Sequence, residues 1–269
     1  MTGKQIKYWD KVAKSWQEAL PQTLWRAYSD CVNNALFARW LPENGVENLL
    51  KTDLFDESLG DGLHPLLASR VKNLFGVDVS LVTVQSARSR HPNLQATAAD
   101  VRCLPFADGS FDFIVSNSTL DHFQSLDEII DSLRELHRVL RVGGQMLLTL
   151  DNLANPVISL RSILPFRLLN RLNIVPYYVG TTLGPRRLSH HLKQAGLEVL
   201  EVGAVMHFPR IFAVTMARIL ERKADPETQK RFLHFWVSFE RLSHWPTRFL
   251  TGYFVAVRAI KRQPSEDSA

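Results

Sequence analysis

The chain is 269 residues long, 45% hydrophobic and 22% charged, with a formal net charge of +5. That length holds one large domain with a real core, or one domain and a cap. Its two cysteines, Cys31 and Cys103, are far apart and fit no metal-ligand spacing, which argues against a disulfide framework and a structural zinc, and the mild basic excess does not by itself point to nucleic acid.

The opening MTGKQIKYWDKVAKSW is charged and lacks the apolar core of a cleaved leader, and no later apolar run is long enough to span a bilayer. A cytoplasmic protein is expected. In residues 1–45, Trp9, Val12, Trp16, Leu20, Leu24 and Tyr28 recur every three or four positions, which predicts a helical N-terminal segment. From 46 to about 150, short apolar runs alternate with helical patterns. Strands are predicted at 46–53, 73–79, 95–99, 111–116 and 144–150, and helices at 62–70, 80–90 and 126–140. Such alternation means an α/β domain with a parallel sheet and crossover helices. Gly143-Gly144 reads as the turn after the last of these helices.

Beyond 151 the character changes. Residues 155–195 are apolar and basic, broken by Pro156, Pro165, Pro176 and Pro185. A strand is predicted at 197–208, a mostly helical stretch at 210–245 and a last strand at 251–260. The tail RQPSEDSA is polar and reads as disordered. The expected organisation is a helical segment or lid over 1–45, a domain over 46–262 with insertions at about 153–195 and 209–250, and a tail over 263–269.

Several stretches carry chemistry. The first is KTDLFDESLG, residues 51–60, an apolar strand running into an acidic turn with no glycine before Gly60. The second is FGVDVSLVTVQSAR, residues 75–88. Asp78 at the end of its strand either accepts hydrogen bonds from the two hydroxyls of a ribose or caps the next helix. The third is ATAADVRCLPFADGSFDFIVSNSTLDHF, residues 96–123, where Asp100 ends a strand and can accept from an exocyclic amino group. The fourth is RELHRVLRVGGQMLLTLDN, residues 134–152: an amphipathic helix, two glycines and a buried strand.

In order and spacing across residues 46–152, these stretches resemble the class I S-adenosylmethionine-dependent methyltransferases, particularly the type 11 branch. The resemblance implies a Rossmann-like sheet of seven strands, six parallel and one antiparallel, the last two supplied by 197–208 and 251–260. It implies S-adenosylmethionine as cofactor, lying across the carboxyl ends of the first strands. Asp78, with Val79 beside it, would hold the ribose. Asp100, with the backbone of Val101, would hold the adenine. Asn117 would line the methionine half. Asp53 stands where the family has the acidic residue opening its glycine motif, and Gly60 where the last motif glycine falls. The sequence departs from the family here, because DLFDESLG replaces the usual run of glycines and the backbone cannot approach a ligand as closely. Asp56 and Glu57 either face the cofactor or cap the following helix. Tyr8 and Trp9 could cover the cofactor.

Methyl transfer asks little of side chains beyond alignment. A base is needed only for a protonated, weakly acidic acceptor; Asp121 and His122, in STLDHF, are the candidates, with a structural role for His122 as the alternative. Asp151-Asn152 also ends a strand on the substrate side, and His207 is a weaker candidate that a core role would explain. No metal is expected. On the acceptor side, the interval between Asp151 and Glu198 holds no Asp or Glu but six Arg and Lys: Arg161, Arg167, Arg171, Arg186, Arg187 and Lys193. That pattern suits a solvated helix face, a lipid surface, or a pocket for an anionic, partly apolar small molecule. The expected activity is methyl transfer to such an acceptor, with oxygen favoured on family grounds, no nucleic-acid partner and membrane contact of a peripheral kind. The competing readings are a catalytically silent relative kept as a binding or scaffold protein, and a dinucleotide oxidoreductase, which lacks G-x-G-x-x-G after the first strand.

Overall fold

In the strand FDFIVSN all residues but the last are buried, as a central strand demands. It is β4 (Phe111–Asn117) of a seven-stranded sheet with β1 (Val46–Lys51), β2 (Val71–Asp78), β3 (Leu94–Ala98), β5 (Leu140–Asp151), β6 (Leu197–Val205) and β7 (Phe254–Lys261). The spatial order is β3-β2-β1-β4-β5-β7-β6, with β7 antiparallel to both neighbours and the other pairs parallel. The computed structural model describes residues 3–18, 23–43, 45–172, 175 and 177–263. The predicted tail, apart from Gln263, lies outside them.

Alternate side chains of β1 point to opposite faces. Helix α1 (Gly3–Glu18) precedes α2 (Thr23–Trp40), and Leu49 joins the face that α2 covers, where Tyr28, Phe37 and Trp236 are fully buried. Leu50 joins the other face, under the later helices. Between the strands run α3 (Phe55–Leu59), α4 (His64–Ala68), α5 (Leu81–Arg90) and α6 (Leu126–Val139). Helix α6 starts at a reciprocal capping box between Ser125 and Glu128 and buries Ile129, Leu133, Leu136 and Val139 along one stripe.

The two insertions are helical. The first is α7 (Pro156–Ile163), α8 (Phe166–Arg171) and α9 (Pro185–Gln194). The second is α10 (Arg210–Lys223), α11 (Pro226–Ser238), a 3-10 turn and α12 (Arg248–Thr251). Each Pro-led helix carries its proline at the first position, where the missing N–H costs nothing.

Three expectations need correction. Gly143-Gly144 is no turn: β5 begins directly after α6, and the glycines form a bulge inside it, with Gly143 at φ 78° and a register shift between Phe111 and Phe113. A side chain at Gly144 would meet the Asp112 carbonyl at 3.0 Å. The strand predicted to 208 ends at Val205, because Met206 takes a left-handed φ of 59°. The strand predicted from 251 begins at Phe254, since Arg248–Thr251 is helical.

Candidate active site

The carboxyl ends of β1 and β4 meet where the strand order reverses, and the loops leaving them must part there. A cavity of about 200 Å³ fills that crevice. Among the described residues its floor is built by the loops after β1, β2, β3, β4 and β5, and its roof by α1, α2 and residues 177–179. Of the residues expected to form the site, Asp53, Asp78, Val79, Asp100, Val101, Asn117, Asp121 and His122 all line it; Gly60 does not.

The first loop explains why. Lys51 closes β1 and is buried, with its Nζ 2.8 Å from Oε2 of Glu57, also buried, in α3. The same ammonium donates to the Asp53 carbonyl. Glu57 Oε1 accepts from the Leu63 amide at 3.0 Å. Burial works against the charge on Lys51, but Glu57 and Asp53 outweigh it and hold its pKa above the ordinary value. A buried ion pair thus fastens the loop where the family uses glycine backbone. Gly62, at φ 52°, is the glycine this arrangement does require, since a Cβ there would sit 2.7 Å from Glu57 Oε1. Gly60 ends α3, and its carbonyl accepts from His91 Nε2, which turns it away from the cavity. Glu57 faces inward to Lys51. Asp56 faces the cavity, 3.5 Å from Arg26.

Close packing is achieved one strand over. A Cβ on Gly76 of β2 would lie 2.7 Å from Leu54, so that glycine lets the loop settle on the sheet. The Leu54 amide then donates to Asp78 Oδ2 at 3.1 Å, and the Ser80 amide to Oδ1 at 2.8 Å. Each carboxylate oxygen keeps a lone pair for a ligand hydroxyl. Burial pushes the Asp78 carboxyl up to about 6, although these two amides pull it back. Burial, with the charges of Asp78 and Asp56, also raises Asp53 well above the carboxylate range, against the pull of Lys51.

Asp100 is different. Partial burial alone would raise it, but bonds from the Arg102 guanidinium and amide prevail and bring it down to about 2. Both its oxygens accept from Arg102, which also pairs with Glu128 and lies 5.0 Å over the Phe123 ring.

At the other end, β4 leads into Ser118, whose φ of 51° is left-handed. Ser118 and Met206, the two non-glycine residues with positive φ among the described residues, both line the cavity. Ser118 Oγ donates to Asp121 Oδ2 at 2.9 Å, and the Asp151 amide donates to the same oxygen at 3.1 Å. Asp121 Oδ1 is buried and has no hydrogen-bond partner among the described residues. His122 Nε2 lies 4.0 Å from it. His122 Nδ1 is 3.1 Å from the Tyr178 carbonyl, so it carries the hydrogen and leaves the Nε2 lone pair free. Trp9 packs edge-on to the imidazole at 4.9 Å, and the Tyr178 amide donates to the Tyr8 hydroxyl at 2.7 Å.

Asp151 and Arg161 form a buried ion pair, and Arg161 and Arg210 both donate to the Tyr253 hydroxyl. Arg210 lines the cavity with its guanidinium 5.5 Å over Trp25, and it is in no ion pair among the described residues. Asn152, expected on the substrate side, is fully buried, and its side-chain amide donates to the Phe249 and Gly252 carbonyls. His207 is buried with both ring nitrogens bonded, and burial lowers its pKa. Arg26, Tyr177 and Arg210 escaped the sequence reading because nothing local marks them.

Residues 55–148 match a family model described as "Methyltransferase domain". Over that stretch the chain is similar to the methyltransferase domain of class I S-adenosylmethionine-dependent methyltransferases. It is 34% identical over 93 residues to "Probable tRNA methyltransferase 9B" of Bos taurus, covering 35% of this chain and 20% of that one. It is 27% identical over 142 residues to "Biotin biosynthesis bifunctional protein BioHC" of Saccharophagus degradans, covering 51% and 24%. The chain therefore spans about a quarter or less of these relatives' lengths. A solved Thermotoga maritima structure, titled a possible histamine N-methyltransferase, superposes with a TM-score of 0.60 over 96% of this chain and 99% of that one at 15% identity, a likeness of fold. The seven-stranded, mostly parallel sheet has the Rossmann-like fold of class I methyltransferases.

The ion pair beneath the site has a measurable weight. Lys51→Met leaves Glu57 buried without a counter-charge and is expected to destabilise the fold by about 3–5 kcal/mol in urea denaturation. Adding Glu57→Leu should recover most of that loss; no recovery would mean the pair does not brace the loop.

Proposed function

We propose that the chain transfers a methyl group from S-adenosylmethionine to a small, lipophilic acceptor bearing an anionic group, most readily at oxygen. The observation that carries this reading is the cavity's division of charge. Asp53, Asp56 and Asp78 come from the loops after β1 and β2, whereas Arg210, in no ion pair among the described residues, stands among aromatic side chains near the Asp151–Arg161 pair.

The residues present fit the cofactor. A bound cation offsets the burial that raises Asp53 and Asp78, and Asp78 has an open lone pair on each oxygen. Asp78 and Val79 would hold the ribose, Val101 and Asp100 the adenine, and Asp53 and Asn117 the methionine part. When bound, S-adenosylmethionine supplies an electrophilic methyl group on a sulfonium. The chain's own work is to exclude water with α1, to align the acceptor, and to take its proton. Nε2 of His122 accepts that proton, and Asp121 Oδ1 stabilises the imidazolium that results. Arg210, with Tyr177 and Tyr253, orients the acceptor's anionic group. This reading sets the protein in the cytoplasm in peripheral contact with a membrane; among the described residues no helix is long and apolar enough to cross one.

The ion-paired first loop favours a second reading, a silent binding protein. Thermal melting with S-adenosylhomocysteine separates the two. An active site should gain about 2.7 kcal/mol at a hundredfold excess over Kd, and no shift at millimolar ligand would favour the silent reading.

Asp78→Asn should weaken cofactor binding about ten- to a hundredfold by calorimetry, since it removes a charged acceptor of ligand hydroxyls. The free protein holds the Asp78 proton up to about pH 6, and a bound cation favours the carboxylate. S-adenosylmethionine affinity should therefore rise with pH up to about 6 and level off above it, falling by at most roughly tenfold per unit below. Calorimetry in buffers of different ionisation enthalpy should detect proton release near pH 6; release of none would remove Asp78 from the site. His122→Gln should lower kcat by about a hundredfold or more while S-adenosylhomocysteine affinity stays level. Unchanged turnover would make His122 structural.

A further inference from the structure

Helices α7 and α8 turn large apolar side chains outward. Leu160, Ile163, Leu168 and Leu172 are 62%, 77%, 45% and 59% exposed, while Ile158 and Leu169 are the side chains that anchor the helices inside. A helix packed on its own domain would bury such a face. The same surface is cationic. Arg167 and Arg171 lie exposed on α8, four residues apart, next to Leu168 and Leu172. Arg186 and Arg187 are exposed in the first turn of α9, which the Asn152–Leu183 bridge ties to the chain entering α7. Among the described residues none of these four arginines is in an ion pair, and residues 152–197 contain no Asp or Glu. Exposed arginines elsewhere do find partners, as Arg134 does in Asp131 and Arg262 in Glu198.

A second cavity, of about 360 Å³, lies against these helices, lined by Leu164, Phe166 and Leu169 of the α7–α8 segment together with Tyr178. It adjoins the first: Val179 lines both, and Arg161 of the second pairs with Asp151 of the first. An apolar, cationic surface with a cavity beside the active-site crevice suits the source of a lipophilic molecule better than it suits a folded partner.

We propose that the α7–α8 surface docks on an anionic lipid bilayer. This rests on, and deepens, the reading of a lipophilic acceptor. Leu160, Ile163, Leu168 and Leu172 enter the acyl boundary, while Arg167 and Arg171 stay at the phosphates, as in helices that lie in a membrane interface. The charge complementarity supplies the preference for anionic lipid.

The test is co-sedimentation with vesicles of phosphatidylcholine and phosphatidylglycerol in a roughly two-to-one ratio, at low and high salt. The wild-type chain should bind them, bind pure phosphatidylcholine more weakly, and lose affinity as salt rises. Leu160→Glu/Ile163→Glu and Arg167→Gln/Arg171→Gln should each weaken partitioning about tenfold or more. Both variants should keep the S-adenosylhomocysteine melting shift, which shows that they fold. The arginine pair, changed only at exposed positions, tests the proposal even if the glutamates unfold the cap. A chain that stays in the supernatant, or variants that sediment as the wild type does, would overturn the proposal. So would a wild-type dimer, absent from vesicles, that Leu160→Glu/Ile163→Glu dissolves in sedimentation velocity, because the face would then meet a second copy. Vesicle binding without any melting shift would support docking while removing methyl transfer, so the two ideas fail separately.

Discussion

The buried ion pair of Lys51 and Glu57 is the contact on which the site depends. It lies under the loop after β1 and fixes three things together. It holds the Asp53 carbonyl, it anchors α3 through Glu57, and through the Leu63 amide it sets the entry to α4. With the loop so fastened, Leu54 settles on Gly76 and its amide reaches Asp78. The carboxylate at the end of β2 is therefore positioned by a charge pair one strand away. Lys51 also sets a fixed positive charge beside a crowded set of carboxylates, and that charge restrains Asp53 and Asp78. A buried pair contributes little net stability as a rule, because desolvation offsets attraction. Here it defines geometry that glycine backbone would otherwise define.

The rest of the cavity is built by closure. Helix α1 brings Trp9 against His122, Tyr8 under the Tyr178 amide, and Asp10 to the Ser80 hydroxyl at the start of α5. The 177–182 stretch returns along the β4 loop, with the Gly180 amide on the Asp121 carbonyl and the Thr181 amide on that of Phe123. Gly180 is needed there, since a Cβ would fall 1.8 Å from the Phe123 carbonyl oxygen. Left-handed Ser118 and Met206 sit at the carboxyl ends of β4 and β6, where backbone strain of about 1–3 kcal/mol each is maintained by the surrounding contacts. The strain aims Ser118 Oγ at Asp121 and lays Met206 along the wall.

Much of the architecture was legible as pattern. The strands after 46, 73, 95 and 111 were visible as apolar runs, and α6 as an amphipathic stripe. Asp78, Asp100, Asp121 and His122 could be named because each lies at the end of a strand or in the loop that leaves it, and in this topology strand ends converge. Helix α3 was missed because five residues are too few to show a period. Gly143-Gly144 misled because a bulge and a turn use the same residue, and the sheet register alone distinguishes them. Gly60 was placed in the site by spacing, yet the side chains of Lys51 and Glu57 redirect the loop that carries it.

The sequence by itself determined the sheet, the order of its motifs and the acidic character of the cofactor side, because periodicity and strand-end residues are local properties of the chain. It also revealed the acid-free interval after Asp151, as composition alone can. Only the tertiary structure decided which charges are spent and which are left over. Arg161 is paired with Asp151, Arg102 with Asp100 and Glu128, and Arg26 lies beside Asp56, while Arg210 lines the cavity in no ion pair among the described residues. Charge pairing depends on distances between residues far apart in the chain: Arg210 lies 59 positions from Asp151, whose ion-pair partner is Arg161. Those distances are set by how the two helical insertions fold back over the strand ends, and no local pattern encodes them.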